Sequence, residues 1–187
     1  NEKSYIEYAQ ATKDKKNPVS YSIENGTLTL KEAGNTGASY YINVDISFLQ
    51  AALSSKNIED YTKESSKYEN YVTLYLPKDK LVSSAKIYLG YGDFYVKNAT
   101  FDTTNIKLDD GDFDANTLTA NSGKLTFSYG DCDLQKASLG NISLTSKDGD
   151  LTVNELTLSG KTKIALSYGD AEITLNDSTK KVSGFDL

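Results

Sequence analysis

From Ile87 onward, apolar residues come in pairs with one residue between the two members, as in Phe94/Val96, Ala99/Phe101 and Ile106/Leu108. Successive side chains of a β-strand point to opposite faces, so an apolar residue at every second position indicates a strand with one buried face. Three such pairs follow one another before the pattern starts again. The chain therefore predicts a repeating unit of three short strands.

The dipeptide Gly-Asp marks the start of each repeat. It occurs at Gly92-Asp93, Gly111-Asp112, Gly130-Asp131, Gly149-Asp150 and Gly169-Asp170, at intervals of 19, 19, 19 and 20 residues. Glycine adopts positive φ at little cost and aspartate bonds to nearby backbone, so we interpret each dipeptide as a structural turn between strands. A period near twenty residues is typical of solenoids, whose units bury their apolar side by stacking.

Strands this short leave no room for a helix between them, so each repeat must lie directly over the last with its strands parallel. We therefore predict an all-β protein, a single-stranded parallel β-helix (β-solenoid) with about 19 residues and three short strands per turn. Parallel crossover connections are right-handed by strong preference, so a right-handed coil is expected.

The repeat has two irregularities. The pair Ile142/Leu144 comes two residues early, which predicts a longer corner at Ser146-Lys147-Asp148. The unit that begins at Gly149 carries one extra residue, which we place near Lys161.

Residues 1–70 lack the repeat and predict an irregular N-terminal β cap with a loop, followed by the solenoid at 71–187 in one continuous domain. Asn25-Gly26 before Leu28 indicates a turn and strand, and alternation from Tyr40 to Phe48 indicates another strand. A short helix is expected at 48–53 and a polar loop at 54–70. The cap would cover an otherwise unpaired sheet edge.

Composition removes several classes of function. The chain of 187 residues has no His, Trp, Met or Arg and carries a net charge of −6. Without His there is no Ser/His or Cys/His nucleophile pair, and an acidic surface opposes nucleic acid. No apolar run is long enough to span a membrane. The one cysteine, Cys132, occupies the inward position that Phe113 and Leu151 hold in the adjoining turns, and this predicts a buried, inert thiol.

The five repeated aspartates should form a column along one corner. Calcium is one interpretation, because carboxylate oxygens are its preferred ligands. The other, which we favour, is that each Asp caps its own turn through backbone N–H groups. We therefore predict neither a metal site nor a cofactor.

The residue before each Gly-Asp alternates between two types, in the order Tyr91, Asp110, Tyr129, Asp148, Tyr168. Tyrosines on alternate turns lie about 9.6 Å apart, twice the strand spacing. Aromatic rings with neighbouring carboxylates can stack on sugar rings and bond their hydroxyls, so these five residues form our candidate ligand site. The alternative is an aromatic column that only separates like charges.

The segment from Val72 to Leu81, with its Val-x-Leu-x-Leu-Pro strand, then Ile87 to Val96 and the returning Gly-Asp turns resemble a bacterial family of β-solenoid domains with a proposed role as adhesins. The resemblance covers about residues 70–187. It implies a bacterial, extracellular or envelope-associated protein, exported or anchored by a segment outside this chain. It implies no catalytic residues.

Two functions from different classes follow. The first is a non-enzymatic surface module that binds a glycan or cell-wall polymer through one solenoid face. The second is a structural protein of the envelope that associates with other envelope proteins and binds no small ligand. A polysaccharide-cleaving enzyme is the third and weakest interpretation, because stacked carboxylates reach catalytic spacings by geometry alone.

Overall fold

The structure is a computed structural model that describes residues 5–9, 19–24, 27–32, 40–45, 71–76 and 80–177. These residues form thirteen strands that join in one hydrogen-bonded sheet. The strands before the first Gly-Asp turn are β1 (Tyr5–Ala9), β2 (Val19–Glu24), β3 (Thr27–Glu32), β4 (Tyr40–Asp45), β5 (Tyr71–Tyr75) and β6 (Leu81–Leu89). Those after it are β7 (Asp93–Leu108), β8 (Phe113–Phe127), β9 (Cys132–Leu134), β10 (Ala137–Asp148), β11 (Leu151–Leu158), β12 (Lys163–Tyr168) and β13 (Ala171–Leu175).

The predicted β-solenoid is confirmed. Wherever two of the strands from β5 through β13 pair with each other, the pairing is parallel. Phe94 lies opposite Phe113, and Phe113 lies opposite Cys132, so each turn advances the sequence by 19 residues. Adjacent turns are about one strand spacing apart, roughly 4.8 Å.

Each turn has three sides, although β7 and β8 run through the corners as long strands. In β7 the buried residues are Phe94 and Val96, then Ala99 and Phe101, then Thr104, Ile106 and Leu108. The alternation changes phase at Lys97-Asn98 and again at Asp102-Thr103. We call these segments and their counterparts in other turns the first side (93–96), the second side (98–101) and the third side (104–108).

The core is a set of apolar columns that runs along the coil axis. The rings of Phe94 and Phe113 stack at 5.6 Å between centroids, and those of Phe113 and Phe127 at 5.1 Å. All three phenylalanines are buried. Their contacts join the first and third sides, so each turn packs both on its neighbours and across its own interior.

The predicted longer corner at residues 146–148 is wrong. Strand β10 continues through Asp148, and Leu144 lies opposite Leu125, in register with the turn before. Ser146, which is fully buried, takes the core position opposite Phe127. Hydrogen bonding to the preceding turn fixes the register, so a polar residue at a core position does not shift it. The extra residue near Lys161 is confirmed, because the offset changes from 19 at Leu158 to 20 at Lys163.

At the N-terminal end, antiparallel strands cover the first turn of the coil. Strand β4 pairs with β6 and continues into an antiparallel meander with β3 and β2, while β1 pairs with β5. This is regular sheet rather than the irregular β structure expected there. The predicted turn at Asn25-Gly26 and the helix at 48–53 lie outside the described residues. In the described part of the chain, no helix has the length and hydropathy required to cross a membrane.

Candidate functional site

The Gly-Asp corner, where the third side of one turn meets the first side of the next, needs glycine for two reasons. Gly92, Gly111, Gly130, Gly149 and Gly169 all have positive φ, between 108° and 135°. The backbones are also in close contact, since a Cβ on Gly130 would lie 2.4 Å from the carbonyl oxygen of Gly111. Any larger residue would push the turns apart.

The aspartates of this corner bond from one turn to the next. Asp93 Oδ1 accepts from the backbone N–H of Asp112 at 3.0 Å, and Asp112 Oδ1 accepts from that of Asp131 at 2.9 Å. Asp131 and Asp150 repeat the contact with the following turn, each at 2.8 Å. Each carboxylate therefore caps the N–H of the next turn, not of its own turn as expected from the sequence. Among the described residues, no group of three or more acidic or Cys side chains is arranged to hold a metal ion.

The alternating Tyr and Asp residues before each glycine lie in one column. Backbone N–H groups of the glycines join successive members, as in Gly111 to Tyr129 and Gly130 to Asp148. All five side chains are exposed. Among them Tyr91 is 50% exposed, Tyr129 61% and Tyr168 74%. The column therefore presents aromatic rings to solvent along one corner.

A groove of about 410 Å³ opens beside the C-terminal half of this column. Tyr129, Asp148 and Tyr168 line it, whereas Tyr91 and Asp110 do not. The structure thus brings three of the five predicted ligand residues together around one concave surface. Two rings on alternate turns flank it, with a carboxylate on the turn between them.

Four further groove residues were missed by the sequence analysis: Asp109, Ser128, Lys147 and Ser167. They share one position, immediately before the Tyr/Asp column. No chemical pattern in the sequence distinguishes this position. These residues line the groove only because the chain curves at the corner and brings them beside the Tyr/Asp column.

Asp109 is held by several partners at one edge of the groove. Lys107 Nζ lies 2.7 Å from Asp109 Oδ1, and the Tyr88 hydroxyl donates to Oδ2 at 2.8 Å. The ammonium of Lys107 also lies 4.9 Å from the centre of the Tyr88 ring. Burial would raise the pKa of Asp109, but hydrogen bonds from Lys107 and Tyr88 outweigh it and lower that pKa. Asp109 is therefore a fixed anion.

Lys147 and Asp148 are different, since both are exposed and neither side chain has a bonding partner among the described residues. They are the free cation and free anion of the groove. A ligand with hydroxyl groups could accept from Lys147 and donate to Asp148.

Cys132 takes no part in this surface. It is fully buried between Phe113 and Leu151 of the adjoining turns. Burial, with a smaller effect from Asp133, raises the pKa of its thiol well above the ordinary value. The predicted inert thiol is consistent with this environment, since the thiolate is the reactive form.

A family model agrees with the solenoid described above. The family described as Toastrack DUF4097 matches residues 1–184, which includes both the antiparallel N-terminal strands and the coil. No curated protein and no solved structure matches the chain significantly. Because the match covers nearly the whole sequence, the chain belongs to the Toastrack DUF4097 family.

Proposed function

We propose that this protein is a non-enzymatic binding module of the bacterial cell surface or envelope, and that its groove takes a glycan or cell-wall polymer. The observation that carries the proposal is the groove between Tyr129 and Tyr168, with Asp148 on the intervening turn. Aromatic faces that remain exposed on a soluble surface are suited to stacking on the apolar faces of sugar rings.

The spacing of the rings favours a polymer over a single sugar. Tyr129 and Tyr168 lie two turns apart, or about 9.6 Å. One sugar ring cannot lie on both tyrosines at that distance. A chain of sugars that runs parallel to the coil axis can contact each ring in turn, with Lys147 and Asp148 bonding the hydroxyls between them.

The carboxylates of the groove do not favour hydrolysis. Glycoside hydrolysis uses two carboxyl groups, one as acid and one as base or nucleophile. Asp109 is engaged by Lys107, Tyr88 and Ser128, so Asp148 is the one unengaged carboxylate lining the groove. A binding role requires no second carboxylate.

The test is a binding screen of the chain against bacterial cell-wall polymers and host glycans, with and without calcium. Tyr129→Ala/Tyr168→Ala should lose at least about tenfold in affinity, because each stacked ring contributes on the order of 1 kcal/mol. Tyr91→Ala is the matched control, since Tyr91 is exposed in the same column but lies outside the groove. Absence of binding by the intact chain, or equal loss in the control, would refute the proposed site.

A further inference from the structure

The three sides of the coil differ in charge. The outward and corner positions of the first side carry eight carboxylates and no lysine in residues 93–96, 112–115, 131–134, 150–153 and 170–173. They are Asp93, Asp112, Asp114, Asp131, Asp133, Asp150, Asp170 and Glu172. The third side carries four lysines and no acidic residue in 85–89, 104–108, 123–127, 142–146 and 162–166. They are Lys86, Lys107, Lys124 and Lys163.

Three of the four lysines of the third side are evenly spaced. Lys86 and Lys124 both lie opposite Asn105, and Lys124 and Lys163 both lie opposite Ser143. The three lysines therefore occupy one column on alternate turns, about 9.6 Å apart. All three are exposed, and Lys124 and Lys163 have no ion pair in the described part of the chain.

Outward carboxylates of the first side also form a column. Asp114 lies opposite Asp133, Asp133 opposite Thr152, and Thr152 opposite Glu172. Because both sides belong to one coil, both columns rise by one strand spacing per turn. Lysines two turns apart on one copy can therefore face Asp133 and Glu172, also two turns apart, on another.

Within the described part of the chain, no lysine forms an ion pair with a carboxylate of the first side. Burial and then the charges of Asp133, Asp112, Asp93 and Asp131 raise the pKa of Asp114. Burial and the charge of Asp93 also raise the pKa of Tyr95, on the same side, to about 12. The lysines of the third side point in a different direction, so they cannot supply the missing cations within one copy.

We propose that the partner of the acidic first side is the basic third side of a second copy of this chain, and that copies associate laterally through these two flat faces. Such a contact is heterologous, so a pair of copies keeps one free acidic face and one free basic face, and association continues until a ring closes or a filament grows. The net charge of −6 opposes close approach, so the attraction is local and depends on salt. This proposal does not rest on the glycan groove and would favour a structural role in the envelope.

The test is sedimentation velocity of the full chain without any glycan, in about 0.1 M and about 1 M salt, where the screening lengths are about 10 Å and 3 Å. We expect dimers or larger species at the lower salt that dissociate at the higher. Lys124→Glu/Lys163→Glu places carboxylates opposite Asp133 and Glu172 of the next copy and should be monomeric. Asp133→Lys/Glu172→Lys places lysines opposite Lys124 and Lys163 and should be monomeric too. An equimolar mixture of the two variants should associate again.

The control is Lys97→Glu/Lys136→Glu, which makes the same change in net charge but at positions outside the third side. It should associate like the unmodified chain. Circular dichroism first checks that all variants keep the β-sheet fold. A monomeric unmodified chain at the lower salt, equal loss in the control, or no association in the mixture would overturn the proposal.

Discussion

The backbone N–H of Asp131 donates to Asp112 Oδ1 at 2.9 Å, and the carboxylate of Asp131 accepts the N–H of Asp150 one turn later at 2.8 Å. Asp112, Asp131 and Asp150 are thus each a donor through the backbone and an acceptor through the side chain. The bonds run from turn to turn along the coil axis, so they hold successive turns together at the Gly-Asp corner.

This arrangement predicts different effects for two substitutions at the same position. Asp131→Ala leaves the N–H of Asp150 without its acceptor and should lower the free energy of unfolding by about 1 kcal/mol. Asp131→Asn keeps an acceptor oxygen and removes one charge from a crowded acidic column, so it should be neutral or stabilising. Urea denaturation measures both. Equal destabilisation by Ala and Asn would show that charge, rather than the hydrogen bond, is what matters.

The close approach of the turns predicts a strong penalty at Gly130. Gly130→Ala combines φ of +114° with a Cβ only 2.4 Å from a backbone oxygen, and should cost about 3 kcal/mol. Gly160→Ala is the matched case, since φ is +66° there and the three atoms nearest the added Cβ all belong to the side chain of Asn141. That substitution should cost about 1 kcal/mol. Thermal unfolding of both variants tests the difference, and similar losses would contradict the backbone contact.

Two polar atoms in the core predict stabilising substitutions. Thr104 Oγ1 and Ser146 Oγ are buried and have no hydrogen-bond partner among the residues that the structure describes. Ser146→Ala and Thr104→Val each remove an unsatisfied polar atom, and each should raise the free energy of unfolding by about 1 kcal/mol. Ser128→Ala is the control, because the Ser128 hydroxyl donates to Asp109 and its loss should not stabilise. Lower stability of the first two variants would mean that these hydroxyls are satisfied in solution.

The raised pKa of Asp114 predicts a stability that depends on pH. The folded protein holds the Asp114 proton more tightly than the unfolded chain, because of burial and the neighbouring carboxylates. Its contribution to stability is therefore full below the unfolded-state pKa and is lost as the pH rises through the folded-state pKa. Asp114→Asn should raise the melting temperature at pH 7, and the gain should disappear below about pH 4.

The control for that experiment is Asp148→Asn, which makes the same change of charge at an exposed corner position. It should give a smaller shift in melting temperature than Asp114→Asn at pH 7. A gain for Asp114→Asn that is the same at every pH would mean that packing, rather than ionisation, explains the effect.

Much of the fold could be predicted from the sequence because each solenoid turn repeats the same pattern of inward apolar and outward polar residues. Phe94, Phe113, Cys132 and Leu151 recur at one spacing, and their strand period shows which way they point. The misplaced corner at residues 146–148 shows the limit of that reasoning. Ser146 looks like a surface residue by type, but the hydrogen bonds of the neighbouring turns hold it at a core position.

Only part of the candidate site could be predicted from the sequence. The Tyr/Asp alternation placed Tyr129, Asp148 and Tyr168 in one column, since residues at equal phase in a repeat must stack. It did not show that the corner is concave there, nor that Lys147 lies beside them.

The sequence by itself determined the strand period, the length of the turn and the positions that face the core, because these follow from local alternation and a constant repeat. Only the tertiary structure decided which neighbouring turn each aspartate bonds, which tyrosines share a groove and which charges gather on one side. Those relationships depend on how far the chain bends at each corner, and that angle is set by contacts between turns rather than by any single turn.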